Sequence, residues 1–215
     1  GEGGMITTND AGLEQRCQSL INCGRRRAGD TFEEPLLGAN YRMTEWQCGV
    51  LLAQLARLPE QIETKSRNAA RLRTGLDAIH GLKAIPRDPR ITREVIYAFI
   101  FMVDEGALGV SRNRFVRALR AEGIAAGVGN EPVYRSALFP RESKQYRAAR
   151  ELADAKSDDP AGCPVAERLF ERAVVAIPHE CLLGDEHDVD DIVAAAAKIA
   201  EHARELKAAR LERGA

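Results

Sequence analysis

Three groups of residues have types that could bind an anion or a metal. The arginines at 25–27 form a basic cluster that could face a phosphate-bearing substrate, although a solvated charge run is the favoured alternative. Gly1-Glu2-Gly3-Gly4 invites a phosphate cradle, but it matches neither Gly-x-Gly-x-x-Gly nor a Walker motif, so a structural turn is favoured. The five cysteines are odd in number and include no Cys-x-x-Cys pair. They therefore predict no metal site or disulfide framework, and instead reduced thiols of a cytoplasmic protein.

Composition excludes several classes of function. The 215 residues include 31 basic and 32 acidic side chains, so the net charge of −1 predicts neither a nucleic-acid partner nor an anionic membrane surface. Apolar runs are far shorter than the roughly 20 residues of a membrane helix. The apolar fraction of 45% is that of an ordinary globule.

The first third of the chain predicts helices separated by a long loop. Residues 5–8 are β-prone, and Asn9 or Asp10 can cap a helix that Gly24 ends. Residues 25–40 predict a loop long enough to carry function.

A second helix is predicted by the capping box of Thr44 and Gln47. Pro59 predicts either a kink or the first turn of a further helix, which continues to near Gly81. A long helical connector between two lobes is the natural interpretation.

Strands and helices alternate in the remainder, which predicts an α/β lobe. The predicted strands are 95–103, 124–128 and 173–177. The predicted helices begin at Ser111, at Pro164 and at Asp188, the last running to residue 206, and residues 154–162 predict a polar loop.

Two segments are too specific to be explained by composition. They are Gly1-Glu2-Gly3-Gly4-Met5-Ile6-Thr7-Thr8-Asn9-Asp10 and Gly38-Ala39-Asn40-Tyr41-Arg42-Met43-Thr44-Glu45-Trp46-Gln47. Together they resemble the DegT/DnrJ/StrS family of sugar aminotransferases, which are fold-type-I enzymes dependent on pyridoxal 5'-phosphate (PLP). Weaker similarities follow in the same order, at 131–139, 163–167 and 177–179.

The resemblance implies the C-terminal part of an α/β fold-type-I transferase. Residues 1–58 would end the large PLP-binding domain and include a loop that crosses the dimer. Residues 59–80 would form the connecting helix, and residues 81–215 the small α/β domain. The family's Schiff-base lysine would fall just upstream of Gly1, so no catalytic residue is expected in this chain, and none of its six lysines has the family's context.

The resemblance also implies roles for individual residues. Asn40 would offer its amide to the cofactor phosphate of a partner subunit, although Asn is also common in turns. Arg42 would add charge near that phosphate or near a substrate carboxylate, because a guanidinium matches both. Tyr134 would meet the substrate or simply pack. Ala98 stands where many relatives carry histidine, which puts a substrate contact on that strand in doubt, and His179 is expected to be a surface loop residue.

The function implied is that of a fragment of a homodimeric PLP-dependent aminotransferase. The intact enzyme would transfer an amino group from glutamate or glutamine to a keto-sugar, often nucleotide-linked, or to a keto-cyclitol. The alternative is a non-catalytic remnant or dimerisation module that lacks the PLP lysine. A cytoplasmic location and no nucleic-acid or membrane partner are expected.

Overall fold

A computed structural model describes residues 3–28, 31–135 and 163–208. It separates into two compact units, Gly1–Pro59 and Glu60–Ala215, which are described one at a time. The assignment of the segments 1–58, 59–80 and 81–215 to domains of a larger enzyme stays a prediction.

The first unit begins with helix α1, Ala11–Ile21. Of the two predicted caps it uses Asp10, whose Oδ1 accepts hydrogen bonds from the backbone N–H groups of Gly12 (2.8 Å) and Leu13 (3.0 Å). These bonds satisfy two of the amides that have no partner inside the helix. The chain then turns through Gly24, whose φ is +80°.

Two predictions for this unit were wrong. Residues 5–8 form no strand, because none of the described residues pairs with their backbone. The predicted loop 25–40 contains a short antiparallel hairpin of β1, Arg26–Ala28, and β2, Thr31–Glu33. Strands of three residues are too short to show a recognisable alternation.

Helix α2, Glu45–Asp77, is the longest element. The capping box is confirmed, since Thr44 Oγ1 accepts from the N–H of Gln47 (3.4 Å) and Gln47 Oε1 accepts from the N–H of Thr44 (2.9 Å). Pro59 lies inside this single helix, so the alternative prediction, that it begins a further helix, was wrong. A proline removes one hydrogen bond from the helix, and the flanking turns keep theirs.

The second unit is built on a four-stranded sheet in which every neighbouring pair is antiparallel. Its strands are β3 (Leu82–Ala84), β4 (Ala98–Val103), β5 (Gly127–Val128) and β6 (Val174–Pro178), in the order β3-β4-β6-β5. The sequence did not predict β3, and it placed the start of β4 at Val95, which is exposed. Burial alternates along β4 and β6, so the sheet has one inner and one outer face.

Helices and turns complete this unit. They are α3 (Glu105–Leu108), α4 (Arg112–Ala121), α5 (Pro164–Arg168) and its continuing π-helical turn (Leu169–Ala173), α6 (Glu186–Glu201), α7 (Ala203–Ala208), and 3-10 turns at Val133–Arg135 and His179–Leu182. The predicted final helix begins two residues earlier than expected and breaks at His202. No helix in the described ranges is both long and apolar enough to cross a bilayer.

One hydrophobic core lies against the inner face of the sheet. It includes Leu72 and Leu76 of α2, Phe115 and Leu119 of α4, Val189 and Ile192 of α6, and the inward side chains of β4 and β6. Phe101 meets Phe115 edge-on, with ring centroids 6.3 Å apart. This packing leaves the outer face of the sheet half-buried.

Candidate active site

The turn that carries Asn40 is held by backbone hydrogen bonds to the end of α1. The N–H of Ala39 donates to the carbonyl of Leu20 (2.9 Å), and the N–H of Tyr41 donates to that of Ile21 (2.9 Å). The N–H of Cys23 returns a bond to the carbonyl of Ala39 (3.0 Å). Asn40 therefore sits on a fixed backbone although its side chain is exposed.

Two glycines make this arrangement possible. A Cβ at Gly24 would overlap the carbonyl of Leu36, and a Cβ at Gly38 would overlap the backbone of Gly24. Ser19, which is buried, closes the turn by donating from Oγ to the carbonyl of Gly24 (2.7 Å). Sequence reasoning did not find the contribution of Ser19, and the spacing of the two glycines was the available signal.

Asn40 and Arg42 contact each other. Asn40 Oδ1 accepts from Arg42 Nε (2.9 Å) and from the backbone N–H of Arg42 (3.3 Å). The amide group of Asn40 and the outer guanidinium nitrogens of Arg42 have no acceptor among the described residues. The pair thus presents amide and guanidinium donors on one exposed turn, which is a donor set that suits a phosphate or carboxylate.

The basic cluster is partly neutralised by acids of the same hairpin. Arg25 Nε lies 3.4 Å from Glu34 Oε1, and Arg26 Nη2 lies 3.1 Å from Glu33 Oε2. These pairs are exposed, so they favour the solvated charge run over a phosphate site.

Tyr134 lies by its backbone in the 3-10 turn Val133–Arg135, and its side chain falls outside the described part of the structure. The next residue holds this turn, since Arg135 is 2.8 Å from Glu171 and 3.1 Å from Glu167. The hydrogen bond to Glu171 raises the pKa of Arg135 and outweighs the opposite effect of desolvation. Glu167 adds to the rise. The role of Tyr134 stays a prediction.

Strand β4, on which Ala98 puts a substrate contact in doubt, lies beside two adjoining clefts. Tyr97, Ala98 and Ala176 line both, and His179 lines one of them. His179 is half-buried at the start of a 3-10 turn rather than on a free surface loop, and its ring lies 6.3 Å from that of Tyr97. Neighbouring Cys181 is also partly buried, and that burial raises the pKa of its thiol.

Neither a metal centre nor an unengaged buried lysine is found in the described residues. No three potential ligand side chains gather there. Buried Lys65 donates to the carbonyl of Ile96 (3.4 Å), while Lys83 pairs with Asp77 (2.8 Å). The predicted glycine turn includes Gly1 and Glu2, which lie outside the described residues.

Comparison with protein families gives a match over nearly the whole chain. The model of the DegT/DnrJ/EryC1/StrS aminotransferase family matches residues 1–196. The chain is 35% identical to an L-glutamine:2-deoxy-scyllo-inosose aminotransferase from Streptoalloteichus tenebrarius, over 97% of this chain and 51% of that protein. It is 32% identical to an L-glutamine:scyllo-inosose aminotransferase from Streptomyces griseus, over 96% and 51% respectively. The chain thus spans about half the length of the curated relatives it matches.

Solved structures also align with most of this chain and with about half of their own chains. The structure of 3-amino-5-hydroxybenzoic acid synthase aligns with a TM-score of 0.69 at 25% identity, over 90% of this chain and 48% of that one. DesI, solved in the presence of its TDP-sugar product, aligns with a TM-score of 0.71 at 25% identity, over 94% and 46%.

Proposed function

Because the chain belongs to the DegT/DnrJ/EryC1/StrS aminotransferase family, we propose that it forms the C-terminal part of a PLP-dependent aminotransferase. The whole protein transfers an amino group from glutamine or glutamate to a keto-cyclitol or keto-sugar. The family match along residues 1–196 carries this proposal. The activities named for the relatives, which are L-glutamine:inosose aminotransferases, favour glutamine as donor and a keto-cyclitol as acceptor.

The cofactor in this proposal is PLP, which supplies the electron sink for amino transfer when bound. Its phosphate fits the donors of the Asn40 turn, because Asn40 Oδ1 is already occupied by Arg42 and the amide is left to donate. Arg42 orients that amide and brings a positive charge beside it. The lysine that holds the cofactor is expected to precede Gly1, in the part of the protein that this chain does not include.

The proposed assembly is a homodimer in which Asn40 reaches the cofactor phosphate of the partner subunit. The exposed apolar side chains at the start of α2 support burial against another body, since Trp46 is 88% exposed and Leu52 69%. The segments 1–58, 59–80 and 81–215 are accordingly proposed as the end of a large domain, a connecting helix and a small domain.

Titration of the intact gene product with PLP tests this function. We expect the long-wavelength absorbance of protein-bound PLP and glutamine-dependent amination of a keto-inosose. The Asn40→Asp variant keeps the side-chain shape but replaces the amide donors with an acceptor, so the Kd for PLP should rise about 10-fold to 100-fold.

Arg57→Ala is the matched control, because Arg57 is exposed and makes no hydrogen bond or ion pair within the described residues. It should leave the Kd unchanged. An intact product that neither binds PLP nor transfers an amino group would contradict the proposal and favour the non-catalytic remnant or dimerisation module. Unchanged PLP affinity in Asn40→Asp would remove Asn40 from the phosphate site.

A further inference from the structure

A further cleft of the second unit lies at the opposite end of β4 from Ala98. Its volume is about 730 Å³, which is that of a small-molecule site, and it shares no lining residue with the two clefts beside Ala98. The start of β3, the end of β4, helix α3 and the π-helical turn after α5 line it. We infer that this cleft binds a small organic phosphate through Arg168 and Arg172. The inference goes beyond the proposed function and does not depend on it.

Arg168 and Arg172 lie on one short helical segment. Arg168 is the last residue of α5, and Arg172 follows four residues later in the π-helical turn. Side chains at this spacing lie on the same face of a helix, and both of these line the cleft. Both are exposed, and neither forms a hydrogen bond or an ion pair with its side chain within the described residues. Two unengaged guanidinium groups on one face offer the planar donor forks that match phosphate oxygens.

The acids of the same segment are engaged elsewhere. Glu167 and Glu171 directly precede the two arginines, and both pair with Arg135, at 3.1 Å and 2.8 Å. Because Arg135 holds these carboxylates, they do not pair with Arg168 or Arg172. The two guanidinium groups therefore stay open to a ligand in the cleft.

The start of β3 adds donors to the cleft. Lys83 and His80 both line it. Lys83 is 2.8 Å from Asp77, which neutralises its charge in part. The His80 ring has no hydrogen-bond partner in the described ranges and carries at least one N–H.

Two acids line the cleft as well, and both already accept hydrogen bonds. Asp104 Oδ1 accepts from the backbone N–H groups of Gly106 (2.9 Å) and Ala107 (3.1 Å). Glu105 Oε1 accepts from the backbone N–H of Arg112 (2.8 Å), and its charge interacts favourably with the buried Arg112 guanidinium.

The charge around the cleft is positive even when His80 is neutral. The excess lies at the arginine pair, because the other basic side chains have acidic neighbours. Among the described side chains that line the cleft or contact a charged lining residue, four are basic, Lys83, Arg112, Arg168 and Arg172, and three are acidic, Asp77, Asp104 and Glu105.

The cleft also has apolar lining. Met102, Leu169 and Ala173 contribute to it. Pockets that combine apolar walls with a few convergent charged groups suit a ligand with an apolar body and a charged end. A phosphate monoester with an uncharged organic body has this character.

Titration calorimetry of the intact protein, incubated with PLP so that its cofactor site is filled, tests the inference with phenyl phosphate. We expect a Kd below about 1 mM. Phenol, which lacks the phosphate, should not bind at the same concentrations. The double variant Arg168→Gln/Arg172→Gln removes both charges, so the Kd for phenyl phosphate should rise at least about 10-fold.

Arg67→Gln/Arg117→Gln is the matched control. Arg67 and Arg117 are exposed residues of the same unit, and they line none of the three clefts. This variant removes the same charge and should leave the Kd for phenyl phosphate unchanged.

The outcomes separate this inference from the proposed function. Absence of phenyl phosphate binding, or an unchanged Kd in Arg168→Gln/Arg172→Gln, overturns the inference while the proposed function stands. An equal loss in the control variant also overturns it, because general charge would then explain the binding. Binding that depends on the arginine pair supports the cleft whether or not amino transfer is detected.

Discussion

Arg112 is a buried arginine of the second unit whose guanidinium requires several hydrogen-bond acceptors. It is 3% exposed, and its guanidinium donates to the carbonyls of Val174 and Phe170 and to Asn113 Oδ1. Burial lowers its pKa, but an arginine with these acceptors keeps its proton. The side chain thereby ties the start of α4 to the π-helical turn and to the start of β6.

Replacement of Arg112 should destabilise the protein strongly. Arg112→Met keeps an apolar stem but removes the buried donors to the carbonyls of Val174 and Phe170, so the free energy of unfolding should fall by about 3 kcal/mol. Denaturant unfolding of the intact protein measures this loss. Arg117→Met, at an exposed position of the same helix, should change the value by less than about 0.5 kcal/mol. Equal effects of the two substitutions would show that Arg112 makes no specific contribution.

The N-terminus of α6 depends on a reciprocal cap. Asp185 Oδ1 accepts from the N–H groups of His187 (2.8 Å) and Asp188 (3.2 Å), and Asp188 Oδ2 accepts from the N–H of Asp185 (2.9 Å). The sequence predicts the helix start at Asp188, the first of the acids that the helix dipole favours, directly before the apolar residues in phase from Val189. The N-cap is Asp185, three residues earlier, so the helix begins before its apolar residues do.

Removal of this cap should cost about 1 kcal/mol of unfolding free energy in Asp185→Ala. Asp185→Asn keeps an acceptor and should retain most of the stability. Thermal unfolding of the three proteins compares them, with Asp191→Ala as the control within the same helix. A loss in Asp191→Ala as large as that in Asp185→Ala would point to general helix charge instead of capping.

An ion pair joins α2 to α6. Arg71 donates from Nε and Nη2 to the two carboxylate oxygens of Asp190, each at 2.7 Å, and lies 3.1 Å from Glu186. The hydrogen bond from Arg71 lowers the pKa of Asp190, outweighing the opposite effect of desolvation. The carboxylate is therefore favoured in the folded state.

The pH dependence of stability follows from that direction. A depressed pKa in the folded state stabilises the protein above the unfolded value of about 3.9, and this contribution disappears as pH falls through the folded pKa. Asp190→Asn should thus flatten the decline of Tm below about pH 4, while Asp191→Asn should not. Parallel Tm profiles for wild type and Asp190→Asn would contradict this expectation.

At the scale of the whole molecule, the chain spans about half the length of the curated relatives it matches. The first unit carries the turn with Asn40 and Arg42, and the second carries the core, the sheet and the clefts around Ala98. The proposed phosphate contact therefore belongs to the first unit. Asn40→Asp should change PLP affinity without unfolding the second unit, which holds the hydrophobic core.

Local signals in the sequence determined much of this protein. Asp10, Thr44 and Gln47 cap their helices as predicted, because a cap acts within four residues. The segment around Asn40 carried the resemblance to the family, and the family match along the chain confirms it. The roles of Asn40, Arg42 and Tyr134 stay predictions.

Only the tertiary structure decided the features whose partners are distant in sequence. The strand Leu82–Ala84 is defined by its pairing with β4, and Gly24 and Gly38 matter because their backbones touch. Arg112 finds acceptors about sixty residues away, at Phe170 and Val174. Ala98 lines one cleft together with Ala176 and Gly127, which lie on two other strands of the sheet. Contacts of this kind are set by packing, which local propensity and periodicity do not encode.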